Sequence, residues 1–243
     1  MAKKFRLYTK EELQENKTIL LDENQTHYLK DVVKYSIGDT LSCFDNQNGE
    51  FLCQITNMNK KTTELIVKNK VKEFYSCPDI WLLFAPLKKD KTDFVIEKAT
   101  ELGVKKIIPT LTRYTITNNI KTERYIAQSI EASEQCQRTD LPIISPPQTL
   151  QDILQNWDSS RTLFFMDETL ESKPFIEELK NTKNTKSAIL IGPEGGFSAE
   201  EISTLRNLSF AKGATLGPRI LRAETAVTAS LSCWQMILGD WRK

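Results

Sequence analysis

Two glycine-bearing segments near the C-terminus constrain this chain more than any other part of its sequence. They run from Ile191 to Glu201 (IGPEGGFSAEE) and from Leu216 to Ala226 (LGPRILRAETA), and each joins an apolar strand-like run to a helix-like run. In an open α/β sheet, ligands bind where such loops leave the carboxyl ends of strands. The sequence therefore predicts a small-molecule pocket made by two neighbouring loops.

The first segment is suited to a ligand that meets the backbone. Pro193 fixes one backbone angle, whereas Gly195 and Gly196 permit conformations that other residues avoid. The segment lacks the Gly-Lys-Ser/Thr ending of a P-loop and the Gly-x-Gly-x-x-Gly of dinucleotide-binding folds. Glu194 would also repel phosphate. The alternative for this segment taken alone is a strand-to-helix turn that binds nothing.

The second segment combines charge with apolar surface. It carries Arg219, Arg222 and Glu224, while Ile220 and Leu221 are suited to form a wall against an adenine ring. A turn and a helix start with solvated charges are the alternative for this segment on its own. The presence of both segments in one chain favours a binding site.

In the rest of the chain, the predicted secondary-structure pattern changes between residues 73 and 78. Residues 1–73 contain short β-rich runs separated by turn signals, which predicts a small barrel. One helix is expected from Asp22 to Lys34, with Asp22 as its N-cap. Residues 78–243 alternate apolar strands with amphipathic helices, which predicts a mostly parallel sheet covered on both faces. Ser198 and Glu201 are spaced as a capping box for one of these helices.

Charge and cysteine content narrow the function classes. Lys and Arg number 33 against 32 Asp and Glu, so the formal net charge is +1 and a nucleic-acid partner requires a local basic patch. The five cysteines form no Cys-x-x-Cys pair and the chain has one histidine, which argues against a zinc site. We expect a cytoplasmic protein with reduced thiols, no metal and no membrane span.

In these segments the chain resembles the RsmE family, the 16S ribosomal RNA uridine N3-methyltransferases of the SPOUT superfamily. Besides the two glycine-bearing segments, the matching positions are His27 to Leu29, Ile37 to Asp39, Glu97 to Val104, Arg113, Glu131 to Gln135 and Arg138. The chain departs from the family pattern at Lys34, where an arginine is expected. Lysine cannot reproduce the bidentate phosphate recognition of arginine.

The resemblance implies a SPOUT-type α/β fold with a deep trefoil knot, preceded by a PUA-like β-barrel domain that binds RNA. It also implies S-adenosyl-L-methionine as cofactor, a homodimer, and 16S ribosomal RNA, within the 30S particle, as substrate. Without it, the strand and helix pattern predicts an unknotted doubly wound sheet, because knots are rare. The alternatives are a SPOUT methyltransferase for another RNA site and a non-catalytic RNA-binding module.

Chemistry at uridine N3 sets what the site must contain. The nitrogen becomes nucleophilic only as its proton leaves, so a proton acceptor and a cation near the anion are needed. The candidate catalytic residues are the cations Arg113, Arg138 and Arg222 and the carboxylates Glu134 and Glu224. For His27, in the small domain, a structural or RNA-contact role is expected.

The resemblance also implies two sets of binding residues. The candidate cofactor contacts are Leu190, Ile191, Gly192, Pro193, Gly195, Gly196, Leu216, Gly217, Ile220, Leu221 and Arg222. The candidate RNA contacts are Lys3, Lys4, Arg6, Lys30 and Lys34, with an ordinary solvated surface as the alternative. The last helix offers small residues at Ala226, Ala229 and Ser230, which suit either a dimer interface or an intrachain core.

Overall fold

The computed structural model describes residues 5–117 and 120–242 and divides into two compact units. The first comprises Met1–Ser76 with Ser133–Leu141, and the second comprises Cys77–Ala132 with Pro142–Lys243. The sequence pattern assigned Ser133–Leu141 to the C-terminal domain. The structure places it in the first unit because Arg6 donates hydrogen bonds to its backbone carbonyls, at Ser133, Glu134 and Arg138.

A five-stranded sheet with the order β1-β3-β4-β5-β2 forms the first unit. Its strands are β1 (Arg6–Tyr8), β2 (Thr18–Leu21), β3 (Thr40–Phe44), β4 (Glu50–Met58) and β5 (Thr63–Lys72). β1 and β3 are parallel, and the other pairs are antiparallel. β1 and β2 are the edges, so among the described residues no backbone ladder closes the predicted barrel.

The helix of the first unit begins as predicted and then changes type. Asp22 is the N-cap of α1 (Glu23–His27) and forms a capping box with Gln25. From Tyr28 to Val33 the chain continues as a π-helix, which ends at Lys34 with φ 64°. The single helix predicted from Asp22 to Lys34 is present, with Asp22 and Lys34 as its two caps, and its second half is a π-helix. Lys30 and Lys34 are both exposed.

The second unit is built on an eight-stranded sheet in which every pair is parallel, with the order β11-β13-β10-β12-β6-β7-β8 and β9 beside β7. Its strands are β6 (Ile80–Phe84), β7 (Lys106–Leu111), β8 (Ile143–Ile144), β9 (Gln148–Thr149), β10 (Thr162–Met166), β11 (Lys173–Pro174), β12 (Ser187–Ile191) and β13 (Ala211–Thr215). The helices are α2 (Lys89–Glu101), α3 (Thr122–Cys136), α4 (Leu150–Gln155), α5 (Phe175–Lys180), α6 (Ala199–Asn207) and α7 (Ala223–Ile237). This order sets β13, β10 and β12 side by side.

Two hydrophobic clusters cover the faces of this sheet. Leu82 and Leu83 alternate along β6 and fall in different clusters, as the period-two geometry of a strand requires. The cluster with Leu82 includes side chains of α2, α5 and α7, and the cluster with Leu83 includes side chains of α4 and α6. The prediction of a parallel sheet covered on both faces is confirmed.

Helix ends in the second unit follow local signals. Gly103 ends α2 with φ 73°, and the carbonyl of Leu102 accepts a 2.6 Å hydrogen bond from Nε2 of Gln235 on α7. The predicted capping box of Ser198 and Glu201 is present at α6.

Much of the predicted interface face of α7 serves the intrachain core. Its members Ala226, Val227, Ser230, Leu231 and Trp234 are buried within the chain. Across the described residues, no helix combines the length and apolar character needed to cross a membrane.

Candidate functional site

A cavity of about 230 Å³ lies at the carboxyl edge of the neighbouring strands β10, β12 and β13. Its walls are the loops that follow these strands and the start of α7. Of the eleven cofactor contacts predicted from the sequence, eight line it: Ile191, Gly192, Pro193, Gly196, Leu216, Ile220, Leu221 and Arg222. Leu190, Gly195 and Gly217 do not. The two segments singled out in the sequence therefore meet at one site.

The loop after β12 has a shape that favours glycine at Gly196. This residue has φ 70°, and a Cβ built there would overlap the carboxylate of Glu168. Its N–H donates to the carbonyl of Pro193 at 2.9 Å, which closes the turn. Gly195 is exposed, and a Cβ there would lie 3.3 Å from Cβ of Tyr114, a contact that a small shift would relieve.

The loop after β10 forms a third wall, made by residues outside the two glycine-bearing segments. Asp167 is buried and accepts hydrogen bonds from Ser172 Oγ at 2.5 Å and from Arg206 Nη2 at 3.0 Å. Burial acts to raise the pKa of Asp167, but these hydrogen bonds and those from Thr169 outweigh it and hold the pKa below its usual value. The carboxylate of Asp167 is therefore ionised and fixed.

Glu168 shares this wall but titrates differently. Burial raises its pKa, a hydrogen bond with the backbone of Phe197 opposes the rise, and the charge of Asp167 adds to it. Adjacent carboxylates directly after the apolar run of β10 were the available sequence signal for these two residues. The pairing of β10 with both β12 and β13 makes them part of the cavity.

Lys91, near the start of α2, contacts both glycine-bearing segments. Its Nζ lies 3.1 Å from Oε1 of Glu194 and 3.8 Å from Oε1 of Glu224. Burial acts to raise the pKa of Glu194, but a backbone hydrogen bond and Lys91 lower it overall. Oε2 of Glu224 is buried and has no hydrogen-bond partner in the described part of the chain.

Comparison with known proteins matches both parts of the chain. Residues 75–235 match a family model described as an RNA methyltransferase domain, and residues 21–68 match an RNA methyltransferase PUA domain. The ribosomal RNA small subunit methyltransferase E of Rickettsia conorii is 34% identical over 93% of each chain. The chain belongs to the ribosomal RNA small subunit methyltransferase E family. The enzyme of the same name from Buchnera aphidicola subsp. Schizaphis graminum is also 34% identical, over 97% of each chain.

Solved structures agree with this family membership. A putative methyltransferase from Legionella pneumophila, in complex with the bound cofactor SAM, has a TM-score of 0.88 at 27% identity, covering 98% of this chain and 99% of that one. A ribosomal RNA small subunit methyltransferase E from Neisseria gonorrhoeae, bound to S-adenosyl methionine, has a TM-score of 0.85 at 25% identity, with the same coverage. The predicted fold class, a SPOUT-type α/β knot with a PUA-like N-terminal domain, is confirmed.

The predicted catalytic residues of the family pattern fall in different units. Arg222 lines the cavity as the N-cap residue of α7. Arg113 is exposed in the loop after β7, where its backbone N–H donates to Oε1 of Glu201 at 2.9 Å. Glu134 and Arg138 belong to the first unit, whereas the residues that line the cavity all belong to the second. Oε1 of Glu134 accepts from the N–H of Tyr8, so this carboxylate has a structural partner.

Among the predicted RNA contacts, Arg6 has a different place from the one expected. It is 8% exposed, and its Nε donates to Glu50 while Nη1 donates to the carbonyls of Ser133 and Glu134. Nη2 donates to the carbonyl of Arg138 and lies 2.9 Å from Oε2 of Glu50. All five N–H groups are thus committed inside the unit, and none remains for a phosphate.

The other predicted RNA contacts are lysines. Lys30 and Lys34 are exposed, whereas Lys3 and Lys4 lie outside the described residues. His27 is exposed and paired through Nδ1 with Asp31 at 2.7 Å. Within the described ranges, no group of three or more His, Cys, Asp or Glu side chains is arranged to hold a metal ion.

Proposed function

We propose that this protein transfers a methyl group from S-adenosyl-L-methionine to N3 of a uridine in 16S ribosomal RNA. The observation that carries the proposal is the cavity in which both glycine-bearing segments meet, in a chain that belongs to the ribosomal RNA small subunit methyltransferase E family. Two relatives of known structure, those from Legionella pneumophila and Neisseria gonorrhoeae, bind this cofactor.

The cavity has the chemistry that the cofactor needs. Leu216 and Leu221 supply apolar surface for the adenine, and the backbone of Gly192, Pro193 and Gly196 supplies close main-chain contacts. The carboxylates of Asp167 and Glu168 suit the hydroxyl groups and positive charges of the ligand, and they disfavour a phosphate in its place. When bound, the cofactor supplies an activated methyl group on a positive sulfonium.

The protein must then orient the uracil, exclude water and remove one proton. Arg222, at the cavity, is the proposed cation that stabilises the anion left when N3 loses its proton, with Arg113 as a second candidate. Glu224 remains a candidate proton acceptor because it follows the cavity residues Arg222 and Ala223, but it does not itself line the cavity and its Oε2 is buried. Glu134 is less suited because it already accepts from Tyr8.

Recognition of the RNA is proposed for the N-terminal domain, which we place at residues 1–73, with the methyltransferase domain at 78–243. Lys30 and Lys34 are exposed there and carry the proposed phosphate contacts, together with Lys3 and Lys4. The net charge of +1 favours the assembled 30S particle over naked RNA, because an isolated chain attracts phosphate weakly.

A homodimer and a cytoplasmic location complete the proposal. Exposed Phe94, Met236 and Trp241 supply apolar surface for a subunit interface. The five cysteines all lie in the described part of the chain and form no disulfide there, as in reduced cytoplasmic proteins.

Mass spectrometry of 16S ribosomal RNA from cells that lack the gene tests the substrate. We expect the loss of one N3-methyluridine, and its return when the wild-type gene is supplied. An unchanged N3-methyluridine level in the deletion strain contradicts the proposed function.

A further inference from the structure

Three charged groups join elements that are far apart in the sequence. Lys91 stands near the start of α2, Glu194 lies in the loop after β12, and Glu224 lies in the first turn of α7. The amine lies between the two carboxylates, at 3.1 Å and 3.8 Å. Glu194 lines the cavity, as do Pro193, just before it, and Gly196, two residues after it. The same holds for Arg222 and Ala223, just before Glu224.

We propose that Lys91 is a positioning residue that ties the loop after β12 to the start of α7 and thereby sets the shape of the cofactor cavity. The inference rests on the proposed function, because it concerns the cavity assigned to the methyl donor. Lys91 does not itself line the cavity. Its effect is therefore exerted through Glu194 and Glu224.

Burial makes this amine more important than an ordinary surface lysine. The side chains of Lys91 and Glu224 are 30% and 18% exposed, so their interaction is only partly screened by water. Oε2 of Glu224 already lacks a partner, so without Lys91 the whole carboxylate would be left uncompensated. Without Lys91, no ion pair of the described residues would join Glu194 to Glu224, and the two cavity walls would lose this link.

Helix α2 offers a matched control for the test. Lys98 lies on the same helix, is 27% exposed, and also pairs with two carboxylates, Glu97 and Glu101. Both of its partners belong to α2 itself, so its ion pairs join no other element. Lys91→Ala and Lys98→Ala therefore remove similar charges, but only the first breaks the tie between the two segments.

The experiment is calorimetric titration of S-adenosyl-L-methionine into the wild type, Lys91→Ala, Lys91→Arg and Lys98→Ala, with the Michaelis constant for the cofactor and kcat measured in parallel. We expect Lys91→Ala to weaken cofactor binding about tenfold, mainly through the Michaelis constant, as the loss of two partly screened ion pairs implies. Lys98→Ala should stay within about twofold of the wild type, and Lys91→Arg should recover most of the affinity.

Each outcome has a distinct meaning. Equal cofactor affinity in Lys91→Ala and the wild type overturns the role of Lys91, while leaving the proposed function intact. A wild type that binds no cofactor at millimolar concentration overturns the proposed function itself. If Lys91→Ala fails to fold, Lys91→Met, which keeps the hydrocarbon stem, is titrated in its place. Wild-type affinity in that variant likewise overturns the inference.

Discussion

Replacing Gly196 by alanine tests whether the loop after β12 binds its ligand through backbone shape. Gly196 has φ 70°, a conformation that costs a residue with a Cβ about 1–2 kcal/mol. The added Cβ would also overlap the carboxylate of Glu168, so the side chain of Glu168, which lines the cavity, must move. We expect the free loop of the variant to relax this strain, so that binding must restore it; at about 1.4 kcal/mol for each factor of ten, this costs about tenfold in cofactor affinity.

The assay is calorimetric titration with S-adenosyl-L-methionine, with circular dichroism to confirm that each variant is folded. Gly195→Ala is the matched control, because its Cβ meets only Tyr114 at 3.3 Å and Gly195 does not line the cavity. We expect its affinity to stay within about threefold of the wild type. Measured against Glu168→Ala, the double variant Gly196→Ala/Glu168→Ala should lose less affinity than Gly196→Ala loses against the wild type, because only the backbone strain remains. Wild-type affinity in folded Gly196→Ala would refute the reasoning.

Two further predictions concern stability. Arg6→Met should cost about 3–5 kcal/mol in the free energy of unfolding measured by urea denaturation, since it leaves the buried Glu50 unpaired. A cost as small as that of the exposed control Lys30→Met would contradict this. Because folding lowers the pKa of Asp167, its carboxylate stabilises the fold at pH values above the pKa of an unfolded aspartate, about 3.9. This stabilisation is lost as the pH falls through the lower pKa of the folded state. Thermal melts should therefore show a shallower loss of stability below about pH 4 in Asp167→Asn than in the wild type, and parallel curves would contradict it.

The residue pattern predicted the structural features that depend on residues close together along the chain. The two glycine-bearing segments were found because their turns, caps and flanking apolar runs lie within a few residues of each other. Asp167 and Lys91 were missed because strand order, which no local pattern shows, brings them to those segments. The family resemblance supplied the knot, since the alternation of strands and helices alone predicts an unknotted sheet.

Burial was the other quantity that local patterns did not show. Arg6 is a charged residue of the kind expected at the surface. It is buried instead, because Ser133–Leu141 belongs to the same unit and its backbone carbonyls accept hydrogen bonds from the Arg6 guanidinium. Glu134 changes role for the same reason, because its carboxylate meets the backbone of Tyr8. The small residues of α7 predicted either an interface or a core, and the structure buries Ala226 and Ser230 in the core. Each of these outcomes depends on contacts between residues far apart in sequence.

The most direct test of the central claim is methyl transfer by the purified protein. 30S particles from cells that lack the gene are incubated with the protein and radiolabelled S-adenosyl-L-methionine, and the modified nucleoside is identified by mass spectrometry. We expect one labelled N3-methyluridine in 16S ribosomal RNA, and no label on 30S particles from wild-type cells, which already carry it. Absence of label on the unmethylated particles, or label on any other nucleoside, would contradict the account.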